Sequence, residues 1–430
     1  MKQLIRSTLF LLLPALVFSS CTRHENDELN QTDEISADMV LTWNAAGITA
    51  VQRVGALPPM PESRIDAAVN IAMHDALNNI VALYDTYAYA NPAVQDANAD
   101  AAVAQAAHDV LAAFLPPQKS FADSMLTVSL AGIPAGTDKD LGITLGKSAA
   151  AALINKRMND GAATAQTAYA NGSLPGEYRY TPPFDAPGAA FVALPGWGNV
   201  KPFSLLSASQ FRPGAPYAVT SAAYATDYNE IKKFGCLNCP DRNPDQTQIG
   251  MFWLENVPTS VNRIAITLIK KNHLSAWKAA RLLALLHIAE ADANIACFDA
   301  KFNYKFWRPI TAVRSGETDG NAQTSGDAAW NILSPPTPPV PDYPSNHATD
   351  GGAGIEVIRR FFNTDDIVFS TTSSFTPGVT RNFTKLSQAS REIALSRIYV
   401  GYHFRMAVDS GEVMGKKIGQ YVYEHSLKSK

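Results

Sequence analysis

Pro335-Pro336-Thr337-Pro338-Pro339-Val340-Pro341, followed closely by Pro344-Ser345-Asn346-His347, leads into a segment whose apolar spacing predicts a helix from Ala348 to Phe362. A chain stiffened by prolines and then turning into a helix presents its first free backbone N–H groups, with the positive end of the helix dipole, to whatever lies in front. That makes an anion site. Ser345 adds a hydroxyl donor, and His347 adds a group that exchanges a proton near neutral pH. Four residues alone read more readily as a plain helix cap. Two further stretches take them beyond that.

Upstream, an apolar pattern at Leu282, Leu283, Leu286, Ile295 and Phe298 predicts a long helix from Ser275 to Phe306. Near its end stand Lys301 and Arg308-Pro309, a spacing that places both cations near one face if the helix continues to Arg308. Downstream, Ser396-Arg397-Ile398-Tyr399-Val400-Gly401-Tyr402-His403 reads as the last turn of a helix begun near Thr384, a glycine bend, and the start of a final helix, Met406 to Glu424. Arg397 offers a planar fork of donors suited to oxyanions, and His403 offers a nitrogen able to bond phosphorus or a metal centre. A tetrahedral oxyanion, with one histidine behind it and another in front, uses every one of these groups.

The rest of the chain is helical in pattern almost throughout. Helices are expected over Met39 to Arg53, Arg64 to Leu83, Asp100 to Leu115, and from a capping box at Thr137-Asp138-Lys139-Asp140 to Gly161. From Asn171 to Tyr217 prolines and glycines interrupt the pattern, and this strap either walls a cleft or packs as a surface tie. A short hairpin is expected between Ile367 and Phe383. The fold class is therefore all-α, two helical bundles joined by a Pro/Gly-rich connection. Paired His74-Asp75 and His108-Asp109 sit among Ala and Leu and read as packed interface histidines.

With 430 residues, 46% hydrophobic, 17% charged and a formal net charge of −3, the chain supports an ample core and gives no reason to expect a nucleic-acid partner. Lys2 and Arg6, an apolar run from Thr8 to Phe18, and Ser19-Ser20 before Cys21 resemble a bacterial lipoprotein signal, with Cys21 lipidated. Residues 1–21 then form the leader, 22–38 an acidic disordered tether, 39–220 an N-terminal helical half with the strap, and 221–430 the catalytic half. The expected location is outside the cytoplasm, periplasmic or at the cell surface, with membrane contact through the lipid anchor alone. In such an oxidising compartment Cys236 and Cys239 read as a local disulfide, with a redox-active pair as the alternative, and Cys297 as a small core residue.

In this order, Lys301-x6-Arg308-Pro309, Pro344-Ser345-Asn346-His347 and Ser396-Arg397-x5-His403 resemble the three-part signature of the superfamily uniting type 2 phosphatidic acid phosphatases with vanadium-dependent haloperoxidases. Lys201-Pro202-Phe203 in the strap, and Asp245-Gln246-Thr247 before Phe252-Trp253, are similar too. The resemblance implies that Lys301, Arg308, Ser345, Arg397 and the backbone N–H of Asn346 hold the oxygens of vanadate, or of phosphate as its isosteric alternative. His403 would bond vanadium, or attack phosphorus, with His347 as acid/base and Lys301 polarising the peroxide. The activity implied is halide oxidation by hydrogen peroxide; the alternative is a soluble acid phosphatase cleaving a phosphate ester through a phosphohistidine at His403. A third reading is an inactive oxyanion-binding lipoprotein. The family's haloperoxidases are often oligomers, so a homo-oligomer belongs among the expected partners.

Four positions depart from the family pattern. Asn346 stands where Gly is usual, so its side chain is expected to narrow the site. Ala407 stands where an Asp often orients the metal-binding histidine, which leaves Asp409 or Glu412 as substitutes. Val340 is neither the Phe nor the His of characterised chloro- and bromoperoxidases, and Phe298 replaces a common Trp.

Overall fold

The computed structural model of the chain describes residues 32–55, 57–91 and 94–430; the leader and Cys21 lie outside them. The first half is built from α1 (Asp38–Arg53), α2 (Pro59–Asn78), α3 (Ala99–Phe114), α4 (Lys119–Ala131) and α5 (Thr137–Arg157). The second contains α6 (Ala222–Phe234), α7 (Pro244–Phe252), α8 (Val257–Lys271), α9 (Ala276–Tyr304), the short α10 (Pro309–Arg314) and α11 (Asn346–Phe361). A two-stranded antiparallel hairpin follows, β1 (Phe369–Thr372) on β2 (Thr380–Phe383), then α12 (Leu386–Tyr399) and α13 (Arg405–His425). Helices dominate, as the periodicity implies, and the hairpin lies within the expected limits.

The differences from the sequence reading have physical causes. Helix α2 begins five residues early because Pro59 and Pro61 fall in its first turn, where a proline forfeits no intrahelical bond. The capping box at Thr137 does not form: the cap position is Gly136, with no side-chain bond. An Asn243/Gln246 box opens α7 instead. Helix α4 escaped notice because it buries only Ala122 and so carries little apolar signal. Helix α9 stops at Tyr304, where Lys305 takes a left-handed conformation, so Arg308 is not on the helix that carries Lys301. Arg308 caps α10 instead and reaches the same place from a separate element.

Helix α9 is the centre of the molecule. It is buried along nearly its whole length, and one apolar cluster runs from Val40 and Val103 through Leu282 to Ile358 and Val422, spanning both halves. The strap is tied to α9 as well: the Asp292 carboxylate accepts backbone N–H bonds from Phe203, Ser204 and Leu205 at 2.6, 2.8 and 2.9 Å, and Arg212 pairs with Asp299. Trp197 of the strap packs with Phe298 and Val340 in a smaller cluster. Cys236 and Cys239 are joined as a disulfide, and Cys297 is buried and free. His74 is fully buried, and its neighbour Asp75 binds the backbone N–H groups of Tyr87, Ala88 and Tyr89, a structural use. Among the described residues no helix is long and apolar enough to cross a membrane.

Candidate active site

Lys301, Arg308 and Arg397 are buried to within 1% of full burial, and all three act electrostatically on His403. The Lys301 ammonium donates to the carbonyls of Pro341 and Asp342 at 2.7 and 3.0 Å. The Arg308 guanidinium donates to the carbonyls of Val340 and Tyr402 at 2.7 and 2.8 Å. Arg397 donates to the Ser396 hydroxyl and the Trp253 carbonyl and lies over the Tyr402 ring. Both the proline-rich run and the Tyr402 bend are therefore clamped by cations, through backbone oxygens that carry no full charge. Among the described residues no carboxylate lies within ion-pair distance of Lys301 or Arg397, and Arg308 meets only Asp342, at 3.9 Å. Burial pushes the Lys301 ammonium down to about 7, with the Arg308 charge lowering it further. Burial likewise lowers Arg397 to about 10.

The two histidines occupy different surroundings. His403 is 4% exposed and follows Gly401, whose left-handed backbone (φ +86°) makes the bend. A side chain at Gly401 would run into the Gly235 carbonyl. His403 Nδ1 lies 2.9 Å from Asp342 Oδ1, a close ion-pair contact rather than an aligned hydrogen bond, and Nε2 lies 3.0 Å from an Arg308 nitrogen. Asp342 favours the tautomer protonated at Nδ1, which leaves the Nε2 lone pair facing the cations. Burial, then Arg308 and Lys301, hold the His403 pKa well below its ordinary value, so that Nε2 stays unprotonated at neutral pH and accepts from the Arg308 guanidinium. His347 is partly exposed and donates from Nε2 to the Glu255 carbonyl at 3.2 Å, leaving Nδ1 to exchange a proton. Desolvation and Arg397 push its pKa down as well. Ser345 caps α11, its oxygen weakly accepting from Ala348 N–H at 3.5 Å, while its own N–H is held by the Ala407 carbonyl.

Asp342 is the residue the sequence reading missed. It is fully buried, and desolvation raises its carboxyl to about 7 against the opposing pull of Arg308 and Lys301. It takes the place sought at Asp409 and Glu412. Those two bind Arg391 instead, at 2.7 and 3.0 Å, away from His403. Asn346 also corrects its expectation: its side chain turns from the cage toward α9, donating to Asn294 Oδ1 at 2.9 Å, and does not fill the site. The loop between α7 and α8 was also underrated, since Trp253 and Glu255 supply the carbonyls that hold Arg397 and His347. Glu255 is itself fixed by Arg263 and Ser374.

An oxyanion fits this donor set. Three buried cations face one carboxyl whose ionisation is suppressed, so a dianion in front of His403 would supply the missing negative charge. Such a group would meet Lys301, Arg308, Arg397, Ser345 and the Asn346 N–H.

Comparison with known proteins agrees with this geometry. The model of the VCPO second helical-bundle domain matches residues 281–429, the part that carries all three motifs. The vanadium chloroperoxidase of Curvularia inaequalis is 25% identical over 421 residues, covering 78% of this chain and 67% of that protein. A bacterial vanadium-dependent iodoperoxidase superposes with a TM-score of 0.78 at 24% identity, over 92% of this chain and 98% of that one. A holo-type bacterial vanadium-dependent chloroperoxidase gives 0.70 at 20% identity, over 87% and 93%. These structures share the fold. The matched second-bundle model, the likeness to these proteins and the motif residues gathered in one cage support the superfamily of vanadium-dependent haloperoxidases and type 2 phosphatidic acid phosphatases.

Proposed function

We propose that this chain is a vanadium-dependent haloperoxidase that uses hydrogen peroxide to oxidise a halide. The observation that carries the reading is the excess of buried positive charge around His403, with Asp342 behind its Nδ1. Vanadate, when bound, supplies a Lewis-acid centre that activates peroxide without changing its own oxidation state. The protein does the rest. Lys301, Arg308, Arg397 and Ser345 bind and orient the oxygens, and His403 presents Nε2 in a fixed tautomer. His347, at the partly open side, moves a proton at Nδ1. The positive field of Arg397, Arg308 and Lys301 on His347 would be offset by a dianion held in the cage, so its basicity would rise when the cage fills.

The similarity of the surrounding fold to vanadium haloperoxidases over most of the chain supports this reading over a phosphatase using the same cage. The leader sequence supports export and anchoring at Cys21.

The test is peroxide-dependent bromide and iodide oxidation by phosphate-free protein as orthovanadate is added. Activity that saturates with vanadate is expected. Hydrolysis of a simple phosphate ester, with no halide oxidation at any vanadate level, would reverse the assignment.

A further inference from the structure

Behind the cage, the core holds a second group of ionisable residues that the chemistry above does not use. Glu62 and Asp66 on α2, His287 and Glu290 on α9, and Asp350 on α11 are each at most 3% exposed. Hydrogen bonds join one of them, Asp350, to Asn346 beside the cage: Asn346 donates to Asn294 Oδ1 at 2.9 Å, and Asn294 donates to Asp350 Oδ2 at 3.0 Å and to Ser63.

One proton in this network can be located by elimination. Asn70 donates to the backbone carbonyl of Asp66, which fixes its amide, so its Oδ1 must accept from Asn44 Nδ2 at 3.2 Å. Asn44 in turn fixes Asn262 through their reciprocal bonds. Asn262 Oδ1 therefore faces His287 Nε2 at 3.0 Å, and Nε2 must carry a hydrogen. At the other ring nitrogen, Nδ1 lies 3.0 Å from Glu290 Oε2. Two acceptors cannot sit at that distance without a hydrogen between them. Whether it resides on nitrogen or oxygen, the His287–Glu290 pair holds one proton more than a neutral imidazole and a carboxylate.

The remaining oxygens say where that proton can go. Glu290 Oε1, Asp350 Oδ1 and Asn346 Oδ1 are buried with no hydrogen-bond partner. Asn346, Asp350 and Gly354 follow one another at four-residue steps on α11, facing α9, and a side chain at Gly354 would lie 2.9 Å from Glu290 Oε1. One helical turn rises about 5.4 Å, roughly two hydrogen-bond lengths, so a water held between successive positions would bridge them.

We propose that the seam between α9 and α11 is a proton-supply line for the cage, with Glu290 and Asp350 as its carriers. This rests on the peroxidase reading, in which X⁻ + H₂O₂ + H⁺ gives HOX + H₂O and consumes one proton per turnover. An O–H bond of Asp350 breaks, an O–H bond of the product water forms, Glu290 reprotonates Asp350, and bulk water restores Glu290. Burial raises the Glu290 and Asp350 carboxyls well above their ordinary range, which keeps them loaded. The titratable groups facing them are Glu62 and Asp66 from α2, and His287 and Cys297 from α9. Helix α8 contributes only neutral Thr259 and Asn262.

The experiment compares Asp350→Asn and Glu290→Gln with wild type in the vanadate-loaded full chain. Expected are a loss of turnover on the order of 10²-fold at about pH 8, near-normal turnover at about pH 5, and partial rescue by added imidazole. Orthovanadate affinity, read by calorimetry, should stay within about twofold. Should either variant fail to fold, difference infrared spectra of wild type should show a protonated carboxyl at neutral pH. Its absence would overturn the proposal. So would active wild type with variants that lose activity equally at every pH, or lose none. Wild type that binds vanadate yet oxidises no halide would instead overturn the peroxidase reading, and with it the need for a proton supply.

Discussion

Two buried ionisable regions, one basic and one acidic, meet along helix α9, and the protein treats them in opposite ways. Around Lys301, Arg308 and Arg397 the two guanidinium charges are kept and the Lys301 ammonium is poised near neutrality, all steadied by the carbonyls of Val340, Pro341, Asp342, Tyr402 and Trp253, which satisfy donors without neutralising them. Around Glu62, Asp66, Glu290 and Asp350 the charges are suppressed: burial raises each carboxyl, and the side chains that meet them are amides and a hydroxyl at Glu62 and Asp350 and one imidazole at Glu290. Retained charge with no counter-charge marks a place made for an ion. Suppressed charge marks a place that holds protons.

The comparison can be broken by substitution, since each region should fail in its own way. The largest effect is expected from His403→Ala, which should reduce halide oxidation to background in a steady-state assay. Arg397→Ala should follow, weakening orthovanadate binding by on the order of 10²-fold, because a buried donor aimed at the anion is lost. Asp342→Asn keeps the shape and removes the charge behind Nδ1. Its expected cost is about 10- to 100-fold in vanadate affinity or turnover, the usual range for a residue that orients a metal-binding histidine. Asn346→Gly, which restores the family's usual residue, should leave vanadate affinity nearly unchanged. It should lower unfolding stability by about 1 kcal/mol, since it severs the bond to Asn294.

Acidity separates the regions further, with smaller effects. With Lys301 held at about 7 in the empty cage, oxyanion affinity should be greatest below that value and fall as pH rises through it. For the seam, the folded carboxyls of Glu290 and Asp350 sit above their unfolded values. Their contribution to stability is therefore complete below the unfolded carboxylate range and lost as pH rises through the folded values. Urea unfolding at about pH 5 and about pH 8 should show this decline in wild type and a shallower one in Asp350→Asn.

Much of the cage was legible in the sequence because its residues sit at element ends, where a proline, a glycine or a cap announces the geometry. Pro344 before Ser345, Gly401 before His403 and Pro309 after Arg308 each mark where the backbone turns. Asp342 was not legible. A lone carboxyl among prolines reads as solvated, and its meeting with His403 depends on α13 docking against the run before α11. The acid seam left a trace that periodicity alone could not interpret: Glu62 with Asp66, Glu290 with Asn294, and Asn346 with Asp350 are each four residues apart on apolar helices. That spacing gives a shared face. It does not say that three such faces turn toward one another, which depends on the packing of α2, α9 and α11.

The most direct test of the central claim, that the buried cations around His403 form an oxyanion site, is calorimetric titration of orthovanadate into phosphate-free protein, repeated in the presence of phosphate. One saturable site is expected, displaced by phosphate, sharply weakened in Arg397→Ala and intact in Asp350→Asn. No binding, or binding that neither phosphate nor Arg397→Ala disturbs, would contradict it.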